Sequence, residues 1–155
     1  MIEMAAVALH VEDIDRALGF WRDALDLRIR FDTGWASEAP VFGPSGMTEA
    51  SAVRLIALVG STPVEGPPGP NQPAGVTLMQ FRGVGRTAVS GAFQDPGTIH
   101  VAWWVDDLDA RVARFEAAGY SLLGPVTPKF EGDGVRLAMI RDPDGFVLEL
   151  ITLQE

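Results

Sequence analysis

Two histidines and a glutamate are the residues of this chain best suited to do chemistry. His10 and His100 each lie in a short apolar run, and Glu149 lies in the middle of the apolar run Val147–Ile151. A carboxylate in such a run needs a partner, because a buried unpaired charge is costly. A divalent cation held by His100 and Glu149 is one partner, with Zn, Mn, Fe, Ni or Co as candidates. A metal-free His–Glu pair is the alternative.

An internal repeat supplies the elements that position these residues. Val11–Asp15 reads V-E-D-I-D and Val105–Asp109 reads V-D-D-L-D, each after an apolar stretch. The tripeptide V-R-L then follows in both halves, at Val53–Leu55 and Val135–Leu137. Matches in the same order indicate a duplication.

Each half predicts the order β-α-β-β-β. Asp13 and Asp107 stand where helix N-caps belong, and their neighbours Asp15 and Asp109 suit the first helical turn. Capping therefore explains these acidic pairs better than catalysis does. The predicted strands, from alternation and β-prone composition, are Ala5–Val11, Arg28–Phe31, Ala50–Val59, Val76–Phe81, Ile99–Val105, Leu122–Val126, Val135–Ile140 and Phe146–Thr152, and the predicted helices are Arg16–Leu25 and Ala110–Ala118.

The connecting segments set the predicted boundaries. A first module covers residues 1–82, a linker that could also act as a lid covers 83–97, and a second module covers 98–155. Ser61–Ala74 is rich in Pro and Gly and predicts a long loop. Its counterpart Arg141–Gly145 is a tight turn in which Gly145 is free to take a positive φ.

Composition excludes several classes of function. The 155 residues carry a net charge of −9 and include no cysteine, so disulfides and thiolate metal sites are absent. No cluster of Lys and Arg indicates binding to nucleic acid or to an anionic membrane. No run approaches the ~20 apolar residues of a membrane span, and the start Met1–Met4 lacks the basic region of a signal peptide. We expect a cytoplasmic protein without a nucleophile elbow, P-loop or dinucleotide fingerprint.

Two stretches of the second half carry a family resemblance. Thr98–Asp109, which contains His100, resembles the module opening of the vicinal oxygen chelate superfamily of glyoxalases, bleomycin resistance proteins and extradiol dioxygenases. Asp142–Leu150 resembles its closing D-P-D-G-x-x-x-E-L motif, and Val11–Leu27 is similar to its first-module opening. The resemblance implies an α+β fold in which two βαβββ modules form an open curled barrel with outer helices.

The resemblance also implies a metal site with one ligand from the first strand and one from the last strand of each module. His100 and Glu149 match two of these ligands. Alignment of Val11 with Val105 places Ala6 at the position of His100, and Ala6 cannot bind a metal. The partner of Glu149 is Thr77, Met79 or Gln80, and of these we predict Gln80 as the third metal ligand.

His10 has three open interpretations. It shares a strand face with Ala6 because side chains alternate, but four residues of strand separate them by roughly 13 Å. That distance argues against His10 as a third metal ligand. It is otherwise a histidine of the core or pocket wall, or a catalytic acid/base acting with Glu149.

Aromatic and arginine side chains complete the candidate site. Trp104 is the repeat counterpart of His10, and both Trp104 and Trp35 either pack in the core or line a pocket for a flat ligand. Arg54 and Arg136 either form ion pairs or capture a substrate carboxylate, a role we assign to Arg54.

Three functions follow from these candidates. The first is a metal-assisted lyase, isomerase or dioxygenase that acts on a small oxygenated substrate. The second is a metal-free pocket protein that sequesters a small aromatic ligand or antibiotic. The third is metal-free acid/base catalysis by His10 and Glu149. Exposed sheet edges make a homodimer the expected assembly.

Overall fold

A computed structural model describes residues 2–61, 73–88, 91–129, 132 and 134–154 of the chain. These residues form two units, Met1–Thr87 and Ala88–Glu155. The division falls within the segment 83–97 that was predicted as a linker. Most of the predicted loop Ser61–Ala74 lies outside the described residues.

The first unit consists of a four-stranded sheet and the helices that connect its strands. Its strands are β1 (Ala6–His10), β2 (Arg28–Asp32), β3 (Ala52–Val59) and β4 (Gly75–Arg82), in the order β1-β4-β3-β2. Strand β1 runs parallel to β4, and the other pairs are antiparallel. The helices are α1 (Ile14–Leu18), which continues as a π-helical segment over Gly19–Ala24, and the short α2 (Phe42–Ser45).

The second unit repeats this arrangement in shorter form. Its strands are β5 (His100–Trp104), β6 (Gly134–Arg141) and β7 (Val147–Gln154), in the order β5-β7-β6, and its helix is α3 (Leu108–Ala117). Strand β5 is parallel to β7, as β1 is to β4. In both units the first strand therefore pairs with the last strand, and the last strand pairs with the strand that precedes it in sequence.

The predicted strand Leu122–Val126 was wrong. Only Leu122 forms a bridge, to Ile140, and the chain then follows β6 through single bonds from Leu123 N to Met139 O and from Thr127 N to Leu137 O. Pro125 has no N–H to donate to a ladder, which prevents a regular strand at this edge.

Local chemistry explains where the helices begin. The Asp13 carboxylate accepts hydrogen bonds from the backbone N–H groups of Asp15 and Arg16, and the Asp107 carboxylate accepts one from Ala110. These bonds satisfy donors that have no partner inside the helix, and they confirm the predicted N-caps. The bonds from Arg16 and Asp15 also hold the pKa of Asp13 below its usual range.

One face of each sheet, which we call the helix face, packs against its helix. In the first unit α1 contacts β4, and Leu78 and Ile56 of the helix face are fully buried, as are the helix residues Ile14 and Phe20. In the second unit the corresponding core consists of Ala138, Ile140, Leu148, Leu150, Leu108, Val112 and Phe115. The opposite side of each sheet is its far face. Among the described residues, no helix is long and apolar enough to cross a membrane.

Candidate functional site

The second unit brings His100 and Glu149 together on its far face. His100 Nε2 lies 3.1 Å from Glu149 Oε2, with the His100 side chain 44% exposed and the Glu149 side chain 13% exposed. Parallel pairing of β5 with β7 creates this contact, because Ala102 lies opposite Glu149 and His100 opposite Val147. The glutamate is thus the sheltered member of the pair and the imidazole the accessible one.

This geometry selects one form of the neutral imidazole. If Nε2 carries the proton and donates it to Glu149, then Nδ1 presents a lone pair. Within the part of the chain that the structure describes, no hydrogen bond reaches Nδ1. The Phe93 ring lies beside the imidazole, with ring centroids 5.6 Å apart and an interplanar angle of 34°. His100 therefore has a carboxylate on one nitrogen and an accessible acceptor at the other.

Strand register identifies the first-unit counterparts of this pair. Thr77 lies opposite Ala8 and Ala57, just as Glu149 lies opposite Ala102 and Met139. Both pairings give Thr77, rather than Met79 or Gln80, as the counterpart of Glu149. With Ala6 at the position of His100, the first unit has neither member of the pair.

The contacts of Gln80 do not favour the role of metal ligand that was predicted for it. It lies on the helix face, where its Oε1 accepts from Ile14 N at 3.0 Å and its Nε2 donates to Glu12 O at 2.7 Å. These bonds tie the end of β4 to the start of α1. The register makes Thr152 its counterpart, and Thr152 makes a related contact to the backbone oxygen of Asp106 at 3.5 Å.

The donor set does not fit a tightly held resident metal ion. Transition ions at catalytic sites usually have three protein ligands, whereas the described residues on the far face of the second unit bring together two donors, His100 and Glu149. Among the described residues, no three His, Cys, Asp or Glu side chains form a group able to hold an ion. Ala6 has no donor atom, and the hydroxyl of Thr77 is a weaker ligand than a carboxylate.

His10 occupies the end of β1 on the far face of the first unit. Its imidazole is exposed and packs edge-to-face on Phe81, with centroids 5.9 Å apart. Its predicted catalytic action with Glu149 stays a prediction, because His10 belongs to the other unit.

Arg54 and Trp35 have partners within the first unit. Arg54 lies on the helix face and pairs with Asp32 at 2.6 Å and with Asp15 at 3.2 Å. The Arg54 guanidinium holds the pKa of Asp32 below its usual range. Trp35 is half-buried, and the Arg82 guanidinium sits 3.5 Å from its ring centre. Arg54 thus forms the ion pairs of one interpretation, and its capture of a substrate carboxylate stays a prediction. A cation occupies one face of Trp35.

Arg136 repeats the ion pair of Arg54 in the second unit. Its guanidinium bonds to Asp109 at 2.8 Å, and Lys129 reaches the same carboxylate at 3.0 Å. Arg136 first, and Lys129 second, lower the pKa of Asp109 from 3.8 to about 2. Arg54 thus ties β3 to α1, and Arg136 ties β6 to α3.

An exposed apolar strip continues the far face beyond His100 and Glu149. It consists of Trp104, Ile151, Leu137, Leu153 and Val135, which are neighbours across β5, β7 and β6. Trp104 and Leu153 are each 66% exposed and Val135 is 48% exposed. The predicted pocket residue Trp104 is therefore available to a ligand.

Phe93 is the site residue that sequence reasoning missed. It stands in the small, polar segment 83–97, seven residues before His100. A single large aromatic residue in such a segment, close to a candidate catalytic histidine, was the available signal.

Comparison with known proteins agrees with this architecture. The model of the Glyoxalase/Bleomycin resistance protein/Dioxygenase superfamily matches residues 3–150. No curated protein matches the chain.

Several solved structures share the fold. A glyoxalase family protein from Bacillus cereus has a TM-score of 0.77 at 20% identity, covering 100% of this chain and 96% of that one. Glyoxalase I from Leishmania major, described as trypanothione-dependent, has a TM-score of 0.63 at 22% identity, covering 98% and 87%. A mutant of the fosfomycin resistance protein FosX from Listeria monocytogenes, complexed with Mn(II) and a dihydroxypropylphosphonic acid, has a TM-score of 0.55 at 17% identity, covering 97% and 90%. These likenesses confirm the predicted α+β fold.

Proposed function

Since this chain belongs to the Glyoxalase/Bleomycin resistance protein/Dioxygenase superfamily, we propose that it is an enzyme that moves a proton on a small oxygenated substrate. His100 is the base, and Glu149 is the residue that orients it. The observation that carries the proposal is the 3.1 Å contact between Nε2 and Oε2, which leaves Nδ1 of an accessible imidazole without a partner among the described residues.

The reaction that suits this pair is abstraction of a proton next to a carbonyl group. His100 Nδ1 takes the proton, the C–H bond breaks, and its electron pair moves onto the carbonyl oxygen as an enolate. The Glu149 carboxylate accepts from Nε2–H throughout and stabilises the imidazolium that forms. Return of the proton to a different carbon completes an isomerisation, and loss of a leaving group completes an elimination.

The surroundings of the pair favour an apolar substrate. Phe93 lies against the imidazole, and Met139 is the cross-strand neighbour of Glu149. These groups give an apolar part of a substrate a surface on which to pack beside the accessible imidazole. Proton transfer by a positioned side chain contributes about 10²–10⁴-fold to a rate.

Metal-assisted chemistry, as expected from the family resemblance, is the less supported alternative. The FosX mutant was crystallised with Mn(II), but on the far face of the second unit the described residues bring together two donors, His100 and Glu149, rather than three.

The test is solvent deuterium exchange into a panel of α-hydroxyketones and β-diketones, followed by NMR. We expect exchange by the wild type with EDTA present and a loss of about 10²–10⁴-fold in His100→Ala. Glu149→Gln keeps an acceptor but removes its charge, so a smaller loss is expected. His10→Ala examines the acid/base role predicted for His10. Exchange that appears only after a divalent metal is added would support the metal-assisted alternative instead.

Binding without conversion is a second candidate function, and exposure of Trp104 on the apolar strip favours it. A flat ligand that stacks on Trp104 would quench its fluorescence and be recovered unchanged. Equal binding by the wild type and His100→Ala, with no turnover by either, would identify a sequestering protein rather than an enzyme.

A further inference from the structure

A polar hollow of about 540 Å³ lies at the start of α3, within the second unit. Its lining includes Asp106, Thr152, Leu153 and the ion-paired Asp109. Thr152 and Asp109 belong to the helix side of the sheet, so the hollow is distinct from the far-face site at His100 and Glu149. None of its lining residues takes part in the proposed reaction.

The first unit shows what the corresponding place holds when it is filled. There the Arg86 guanidinium donates hydrogen bonds to the backbone oxygens of Glu12 and Phe81. Gln80 also donates to Glu12 O, at 2.7 Å. Two backbone carbonyl groups thus act as a cradle for one guanidinium, which offers several planar donors in a fixed fork.

The second unit keeps the cradle without the guanidinium. Its equivalent carbonyl groups are those of Asp106, from the aligned repeat motifs, and Leu153, from the strand register. Thr152 replaces Gln80, and its shorter side chain lies 3.5 Å from Asp106 O and 3.4 Å from Leu153 O. Both distances are at the outer limit of hydrogen bonding. Among the described residues of this unit, none donates a guanidinium to these oxygens.

The charges around the hollow favour a cation. Asp109 accepts from Arg136 and Lys129, and the lining as a whole has three aspartates against these two cationic side chains, a net charge of −1. The Asp106 carboxylate has no hydrogen bond or ion pair among the described residues. A cation entering the hollow would therefore meet one unpaired carboxylate and two poorly satisfied carbonyl oxygens.

We propose that this hollow binds a guanidinium group. The planar fork of a guanidinium can donate hydrogen bonds to the carbonyl oxygens of Asp106 and Leu153 while it faces the Asp106 carboxylate. An ammonium group is a compact point charge and lacks this planar arrangement of donors. The group belongs either to a small guanidino compound or to an arginine side chain of another protein, since both present the same donors.

The test is an NMR titration of the whole chain with methylguanidinium, with methylurea as the neutral isostere. We expect methylguanidinium at up to about 10 mM to shift the amide signals of residues 106–109 and 152–154 with saturation, as for a site of roughly millimolar affinity. Methylurea should leave these signals in place. A short peptide with an internal arginine distinguishes the sources: tighter binding than methylguanidinium indicates a protein partner, and exclusion of the peptide indicates a small compound.

Three variants make the proposal falsifiable. Asp106→Asn should weaken methylguanidinium binding about tenfold, because it removes a charged acceptor. Thr152→Gln should keep methylguanidinium binding, because Gln80 and the Arg86 guanidinium donate to the same Glu12 oxygen in the first unit. The matched control Glu12→Gln, at the first-unit counterpart of Asp106, should leave the affinity unchanged. Equal shifts by methylurea, or equal affinity in Asp106→Asn, would overturn the proposal even if Thr152→Gln did not fold.

Discussion

The two units place different side chains on equivalent strand positions. Ala6 and Thr77 in the first unit correspond to His100 and Glu149 in the second, and both sets lie within the same register of a parallel strand pair. The duplicated backbone therefore provides two equivalent positions for reactive groups, of which only the second holds an imidazole and a carboxylate. Backbone geometry alone does not make a site here.

The far faces of the two units also differ in how much of their apolar surface is exposed. In the first unit Val53, Met79 and Phe81 are 0–7% exposed, because residues from the segment 36–50, together with Leu55 and Val84, pack over them. Their counterparts Val135 and Leu153 are 48% and 66% exposed. The first unit covers this part of its far face with its own chain, whereas the second leaves the corresponding part open beside the His–Glu pair.

The largest expected effect concerns the reactive pair. Relative to the wild type, His100→Ala should lower the rate of deuterium exchange about 10²–10⁴-fold, while Thr77→Val, at the counterpart of Glu149, should change it little. Circular dichroism checks that both variants fold. An equal loss of exchange rate in Thr77→Val would contradict the claim that only the second unit holds the reactive pair.

A smaller effect, on stability, is expected when equivalent side chains on the covered and open far faces are truncated. Phe81→Ala should lower the free energy of unfolding by about 3–5 kcal/mol because it leaves a cavity. Its counterpart Leu153→Ala should change that free energy by no more than about 0.5 kcal/mol, as for an exposed side chain. Urea denaturation measures both, and a large cost for Leu153→Ala would mean that the strip is covered in solution.

The contacts that tie the last strand to the helix start should also differ. Gln80→Ala removes two hydrogen bonds and should cost about 1–3 kcal/mol of stability. Thr152→Ala removes contacts of 3.4–3.5 Å and should cost less. Comparison of the two urea midpoints checks the order, and a reversed order would contradict the assignment of Gln80 to a structural role.

The smallest expected effect is the pH dependence of the ion pair at Asp109. The folded-state pKa of Asp109 is lowered from 3.8 to about 2, so its contribution to stability is present above pH 3.8 and lost as the pH falls toward 2. The gap in urea midpoint between the wild type and Asp109→Asn should therefore narrow on acidification through this range. A gap that stays constant from neutral pH to about pH 2 would be inconsistent with that lowered pKa.

The sequence predicted the fold well because its signals were local. The repeated V-[ED]-D-[IL]-D motif predicted both strand–helix junctions, since an N-cap is specified by one side chain and its neighbours. Strand alternation predicted seven strands within a few residues of their observed bounds. The failure at Leu122–Val126 came from weighing apolar composition above Pro125, which removes a ladder donor.

The candidate site was harder to predict because it depends on register between distant strands. The counterpart of Glu149 could not be chosen among Thr77, Met79 and Gln80, since the loop before β4 is longer than the turn before β7. The role of Gln80 depends on contacts to Glu12 and Ile14, which no local pattern announces. Arg54 was predicted to bind a substrate carboxylate. Its ion pair with Asp32 was not predicted, because the two residues lie 22 positions apart in the sequence.

The central claim is that Glu149 holds His100 with the proton on Nε2 and an open Nδ1. Nitrogen-15 NMR of the histidine rings measures this directly, since the chain has only two histidines and His10→Gln assigns the other. We expect the neutral imidazole of His100 to be the Nε2–H tautomer, unchanged by EDTA, and to lose this preference in Glu149→Ala. An Nδ1–H tautomer, or an imidazole spectrum that changes when EDTA removes a bound ion, would contradict the account.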